Sequence, residues 1–179
     1  MSAQMWLPGT ALNCYESDAL LRSWLLTPGL LTQRMRDTCG ARFVMNVLRE
    51  SRDSQGFVRE VELCCDGQSW VFAQTTIPAA TLAAQPWLAA IGQTSLGEAL
   101  AANGNVQRSE FEYAKLYDDS EVVAKALQRA RLHAQALWAR RSEFRMGEHS
   151  FTLHEVFLPN VGIPSKDVFR TLDHTAVNS

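Results

Sequence analysis

Residues 56–78, GFVREVELCCDGQSWVFAQTTIP, decide the fold. Along 56–65 the side chains alternate: Phe57, Arg59, Val61, Leu63 and Cys65 share one face, and Glu60 and Glu62 take the other, expected to be wet. Asp66-Gly67 is a strong hairpin signal, because both residues tolerate the positive φ that a tight turn between twisted strands demands. The return arm, SWVFAQTTI, is closed by Pro78, which cannot continue a ladder.

Working outward, ARFVMNVLRE (41–50) and SEFEYAKLY (109–117) read as further strands. RSEFRMGEHSFTLHEVFLP (141–159) reads as a last hairpin turning at Gly147. Upstream, Ser17 or Asp18 can cap a helix carrying Leu21, Trp24 and Leu25. Thr27-Pro28 then opens a second helix with Leu30, Leu31, Arg34 and Met35, which stops at Gly40. The alanine-rich stretch 79–104 predicts short helices and turns. Residues 118–138 predict one long helix, with Val122, Val123, Ala126, Leu127, Ala130 and Leu137 near one stripe. Helices, antiparallel strand pairs, a helical connection and more strands make an α+β protein: a single domain, with helices packed on one face of an antiparallel sheet. The domain is expected over 1–159, and 160–179 as a flexible C-terminal tail.

The 179 residues are 46% hydrophobic and 20% charged, as in an ordered globular chain, and a net charge of −2 gives no hint of nucleic acid. The first residues lack a basic, apolar leader, and no apolar run approaches the ~20 residues that span a bilayer. The expected location is cytoplasmic, with no membrane insertion. Cys14, Cys39, Cys64 and Cys65 form no Cys-x-x-Cys pair, so all four are read as free thiols and no metal site is expected. There is no Gly-rich phosphate loop and no Gly-x-Ser-x-Gly elbow.

Two charges stand on otherwise apolar strand faces. Arg59 is one; the other is Glu155, which shares its face with Phe151, Leu153 and Phe157. One reading pairs them in a buried salt bridge, an arrangement often no more stable than apolar packing. The other builds a pocket on the sheet face, where Arg59 grips a small carboxylate and Glu155 binds a hydroxyl or handles a proton. Gln74 and Thr76 on the return arm could add polar contacts. His133, His149 and His154 have no metal-ligand spacing, and Arg129, Arg131, Arg140, Arg141 and Arg145 read as a solvated basic surface among acidic residues.

Five stretches carry a family likeness in matching order: SWLLTPGLLTQR (23–34), VREVELCCDGQSWVFAQTTIPAATL (58–82), IGQTSLGEAL (91–100), LWARRSEFRM (137–146) and HEVFLP (154–159). The chain resembles the chorismate pyruvate-lyases, or 4-hydroxybenzoate synthases, over roughly residues 12–159. The resemblance implies a cofactor-free, metal-free lyase, acting as a monomer. It removes the enolpyruvyl group of chorismate as pyruvate and leaves 4-hydroxybenzoate for ubiquinone biosynthesis. It also implies ligand contacts at Arg59, at Glu155, at Leu96 through its backbone, and at Leu31, where the family has methionine. Gln74 stands where an arginine occurs in relatives, and the predicted helix 118–138 replaces a short turn. The rival expectation is a non-catalytic small-carboxylate sensor domain of the same fold.

Overall fold

The computed structural model describes residues 5–164. Strand β1 (Leu7–Pro8) precedes three helices, α1 (Leu12–Tyr15), α2 (Ala19–Leu25) and α3 (Leu31–Cys39). Three long strands follow: β2 (Phe43–Arg52), β3 (Gly56–Cys65) and β4 (Gln68–Pro78). Helices α4 (Ala79–Ala84) and α5 (Leu96–Asn103) lead to β5 (Gln107–Arg108) and β6 (Glu112–Leu116). Helix α6 (Glu121–Ala130) and the hairpin β7 (Leu137–Met146) and β8 (His149–Phe157) complete the order. The strands form one antiparallel sheet, ordered β1-β6-β7-β8-β4-β3-β2, with β5 also pairing β7. The α+β architecture read from the alternation is therefore the observed one.

Local chemistry explains most boundaries. Asp18 caps α2, its Oδ1 accepting from the amides of Leu20 and Leu21 at 2.8 and 3.0 Å. Helix α3 starts later than expected: its N-cap is Leu30, whereas the Thr27 hydroxyl donates back to Trp24 O at 2.7 Å and closes α2. Gly40 ends α3 at φ 57°, as its position predicts. Between β2 and β3, Gly56 sits at φ 147°, and a Cβ there would fall 2.0 Å from Ile77 O, so only glycine fits.

The long helix expected over 118–138 is a correction. Arg131 takes the left-handed conformation at φ 55° and ends α6, and Leu137 opens β7 rather than extending a helical stripe. The run ARLHAQAL contains no glycine or proline to mark the stop; residues 131–136 form an irregular connection, and only Leu137 joins the sheet, opposite Leu116.

Helices α1–α5 lie on the face that carries Val61, Ala73 and Phe157 or Phe57, Ile77 and Phe151. Helix α6 covers the opposite face, burying Val123, Ala126 and Leu127 against Phe72, Ala139 and Val156. Glu60 and Glu62, expected in water, are consequently buried under α6. Lys125 Nζ reaches Glu60 at 2.7 Å, and Arg129 lies 3.8 Å from Glu62.

A second correction concerns the thiols: Cys39 and Cys65 are joined by a disulfide, and Cys14 and Cys64 are free. The turn at Gly40 brings the end of α3 over the end of β3, a pairing 26 residues apart that local spacing cannot reveal. Closing such a loop restricts the unfolded chain by ~3–4 kcal/mol. The Cys64 thiol is pushed up to about 12, by burial first and then by Glu62. Past Pro159 the chain packs at once, with Val161 3% exposed beside the Trp24 cluster; the rest of the expected tail, from 165, lies outside the described residues. No helix among the described residues is long and apolar enough to cross a membrane.

Candidate active site

Strand register lays out the floor of one cavity. In one row across β3, β4, β8 and β7 stand Arg59, Thr75, Leu153 and Ser142. In the next stand Val61, Ala73, Glu155 and Arg140. The roof is made by the first turns of α3 and α5, with Leu30, Leu31, Leu96 and Gly97, and Phe111 closes one side. The cavity volume is about 130 Å³, close to the ~150 Å³ cavity that holds a benzene ring in an engineered protein. Leu31, Arg59, Leu96 and Glu155 all line it.

The two helix starts meet over the cavity. Leu30 packs so tightly on α5 that a Cβ at Gly97 would lie 2.3 Å from Leu30 Cδ2. Arg36 of α3 bonds Glu98 of α5 at 2.6 Å. Ser95 and Glu98 form a capping box, which satisfies the amides of both but leaves those of Leu96 and Gly97 without acceptors among the described residues. Free amides at a helix start favour an anion.

Arg59 is 2% exposed and rigidly held. Its Nε donates to Glu50 Oε1 at 3.1 Å, and Nη2 donates to the carbonyls of Gly92 and Thr94 at 2.7 and 3.0 Å. Nη1 has no acceptor among the described residues. Burial pushes this guanidinium below its ordinary value, and Glu50 pulls it back up. Glu50 stands opposite Arg59 because β2 bulges between Val47 and Arg49; with an unbroken register Arg49 would occupy that place.

Glu155 does not pair with Arg59. Its Oε2 accepts from Arg140 Nε at 2.5 Å, and both residues are buried. Arg140 also donates from Nη1 to the carbonyls of Leu25 and Thr27 at 3.0 and 2.9 Å, and its guanidinium stacks over Phe111 at 4.1 Å. Assigning Arg140 to a solvated basic surface is thus corrected: it is 1% exposed and lines the cavity. The signal was available, since Arg140 alternates with Trp138, Ser142 and Phe144, the same pattern that singled out Arg59. Arg129, Arg131 and Arg145 are exposed, and Arg141 is half-buried on the outer face, bonded to Glu112.

Gln74 and Thr76 are the remaining correction. Both point to the outer face; Gln74 accepts from Lys125 Nζ at 3.1 Å and Thr76 is exposed, while Thr75 lines the cavity instead. His133 is exposed, and His154 lies on the outer face against Trp6. Burial lowers the His154 pKa. Among the described residues no group of His, Cys, Asp or Glu is arranged to hold a metal ion.

Similarity to known proteins bears on this geometry. The family profile described as chorismate lyase matches residues 46–167. A probable chorismate pyruvate-lyase of Thiobacillus denitrificans is 33% identical over 175 residues, covering 89% of this chain and 91% of that protein. Proteins of the same description from Shewanella sp. (strain ANA-3) and Dechloromonas aromatica are 33% and 34% identical, covering 88% and 80% of this chain and 89% of each relative. A solved Staphylococcus aureus gene product aligns over 74% of this chain and 89% of its own, with TM-score 0.48 and 11% identity. With more than half of its length matched by the profile, and with relatives a third identical over most of its length, the chain belongs to the chorismate lyase family.

Proposed function

We propose that this protein eliminates the enolpyruvyl side chain of chorismate as pyruvate and leaves 4-hydroxybenzoate, the entry compound for ubiquinone biosynthesis. The observation that carries the reading is a ring-sized cavity with a cation and a carboxylate two strands and one row apart, roughly 12 Å between backbones by ladder spacing and strand rise. Arg59 and the free amides of Leu96 and Gly97 suit the ring carboxylate. Glu155, with Oε1 left over after Arg140 takes Oε2, suits the hydroxyl on the opposite side of the ring.

Chorismate is one elimination short of an arene, so forming the ring supplies the drive. The C4 hydrogen leaves as a proton, the C3–O bond breaks, and the enolpyruvyl methylene gains a proton to become the methyl of pyruvate. The residues therefore need to bind, orient and keep water out. Glu155 either holds the reactive conformer or relays the proton. Action as a cytoplasmic monomer is part of the same reading.

The test is turnover of chorismate by the purified protein without added metal, following pyruvate and 4-hydroxybenzoate together. Equal amounts of both are expected. Binding of 4-hydroxybenzoate without turnover would replace the lyase with a sensor.

A further inference from the structure

Ser142 is 2% exposed, and its Oγ is sealed from solvent with no hydrogen-bond partner among the described residues. A buried hydroxyl without a partner is destabilising, and an alanine would avoid the penalty. This one lines the cavity, two residues along the same face of β7 from Arg140, or roughly 7 Å at strand rise.

Arg140 has unused capacity as well. Nε is committed to Glu155 and Nη1 to two carbonyls, but Nη2 has no acceptor among the described residues. A guanidinium edge and a hydroxyl at successive inward positions of one strand, both desolvated, are donors waiting for an anionic oxygen. Glu155 does not fill that role in the structure, where its bond to Arg140 is made through Nε alone.

Chorismate carries two carboxylates, and Arg59 with the start of α5 accounts for only the ring carboxylate. The enolpyruvyl ether is attached at C3, next to the hydroxyl-bearing C4, so its carboxylate lies at the Glu155 end. We infer that Arg140 and Ser142 form a second carboxylate-binding subsite, for the side-chain carboxylate that departs with pyruvate. The inference rests on the lyase reading. Its consequence is that Ser142 touches the substrate and has nothing to touch on 4-hydroxybenzoate.

Ser142→Ala isolates this contact, because it leaves the Arg140–Glu155 bond intact. We expect kcat/KM for chorismate to fall roughly tenfold, the loss of one hydrogen bond to a charged group. The Kd for 4-hydroxybenzoate should stay within about twofold, and Tm should hold or rise as the unpartnered hydroxyl is removed. An active wild type whose variant keeps its kcat/KM overturns the subsite alone. So does a variant that loses chorismate and 4-hydroxybenzoate in step, because Ser142 would then face the ring or its carboxylate. A wild type inactive on chorismate overturns the lyase reading and the subsite with it.

Discussion

Arg140 and Glu155 face each other across β7 and β8, at 1% and 6% exposure, and meet through a bond of 2.5 Å. The cavity's carboxylate is therefore held by a cation that is itself tied to the α2–α3 turn through the carbonyls of Leu25 and Thr27. Removing the cation leaves a buried charge uncompensated, which costs more than the pair contributes. Arg140→Met should lose about 3–5 kcal/mol in urea denaturation, and adding Glu155→Leu should recover most of that. A single variant as stable as the wild type would mean that the pair is not buried in solution.

Arg59 and Glu155 should separate kinetically. Arg59→Ala is expected to weaken chorismate and 4-hydroxybenzoate together by roughly 10- to 100-fold, as befits charge-assisted bonds to a carboxylate both share. Glu155→Gln should instead lower kcat by about 10²-fold with little change in 4-hydroxybenzoate Kd, if it handles the proton. Steady-state kinetics beside calorimetric titration distinguish the two. Unchanged turnover in the glutamine variant would leave Glu155 a binding role only.

The contact between Leu30 and Gly97 can be probed by adding one methyl group. In Gly97→Ala the new Cβ must displace the end of the Leu30 side chain, a movable group, so the fold should survive at a cost of about 1–3 kcal/mol. Both residues roof the cavity, and the KM for chorismate should rise several-fold. Combining it with Leu30→Ala should recover stability; failure to do so would show that the strain lies elsewhere.

Glu98 gives a pH dependence of definite sign. Hydrogen bonds from Arg36 and Ser95 bring its carboxyl down from 4.5 to about 2. Its contribution is complete above the ordinary carboxylate range and is lost as pH falls from about 4.5 toward about 2. Because the pair is well exposed, the effect is modest and weakens with salt. Urea midpoints measured across that window should fall more steeply in the wild type than in Glu98→Gln, and parallel curves would contradict the assignment.

Much of this was legible because period-two alternation is a local signal. The inward placement of Arg59 and Glu155 follows from counting residues by twos, and the turns at Asp66-Gly67 and Gly147 follow from residues that tolerate positive φ. The partners of those charges were not legible. Glu50 meets Arg59 only because of a bulge, and a one-residue slip in register is invisible in the spacing of β2. Arg140 was hidden among neighbouring arginines whose charge suggested solvent, although its own alternation placed it inside. Thr75 was passed over for Gln74 and Thr76 by an error of one in parity, which exchanges the two faces of a strand. The Cys39–Cys65 bond depends on how a helix end lies over a strand end, which is tertiary information.

The floor and roof of the cavity are fastened by different kinds of bond. Backbone ladders from four strands hold the floor, whereas the start of α3 meets the start of α5 through a leucine on a glycine, a long Thr32–Ser95 hydroxyl contact and one exposed ion pair. Parting the two helix starts breaks no ladder hydrogen bond, so the free energy of local opening is set by a handful of side chains and that of global unfolding by the sheet. Amide exchange at the start of α5 and in β4 would follow separate opening equilibria. Selection can then tune residence time in the cavity and the durability of the fold as two independent quantities.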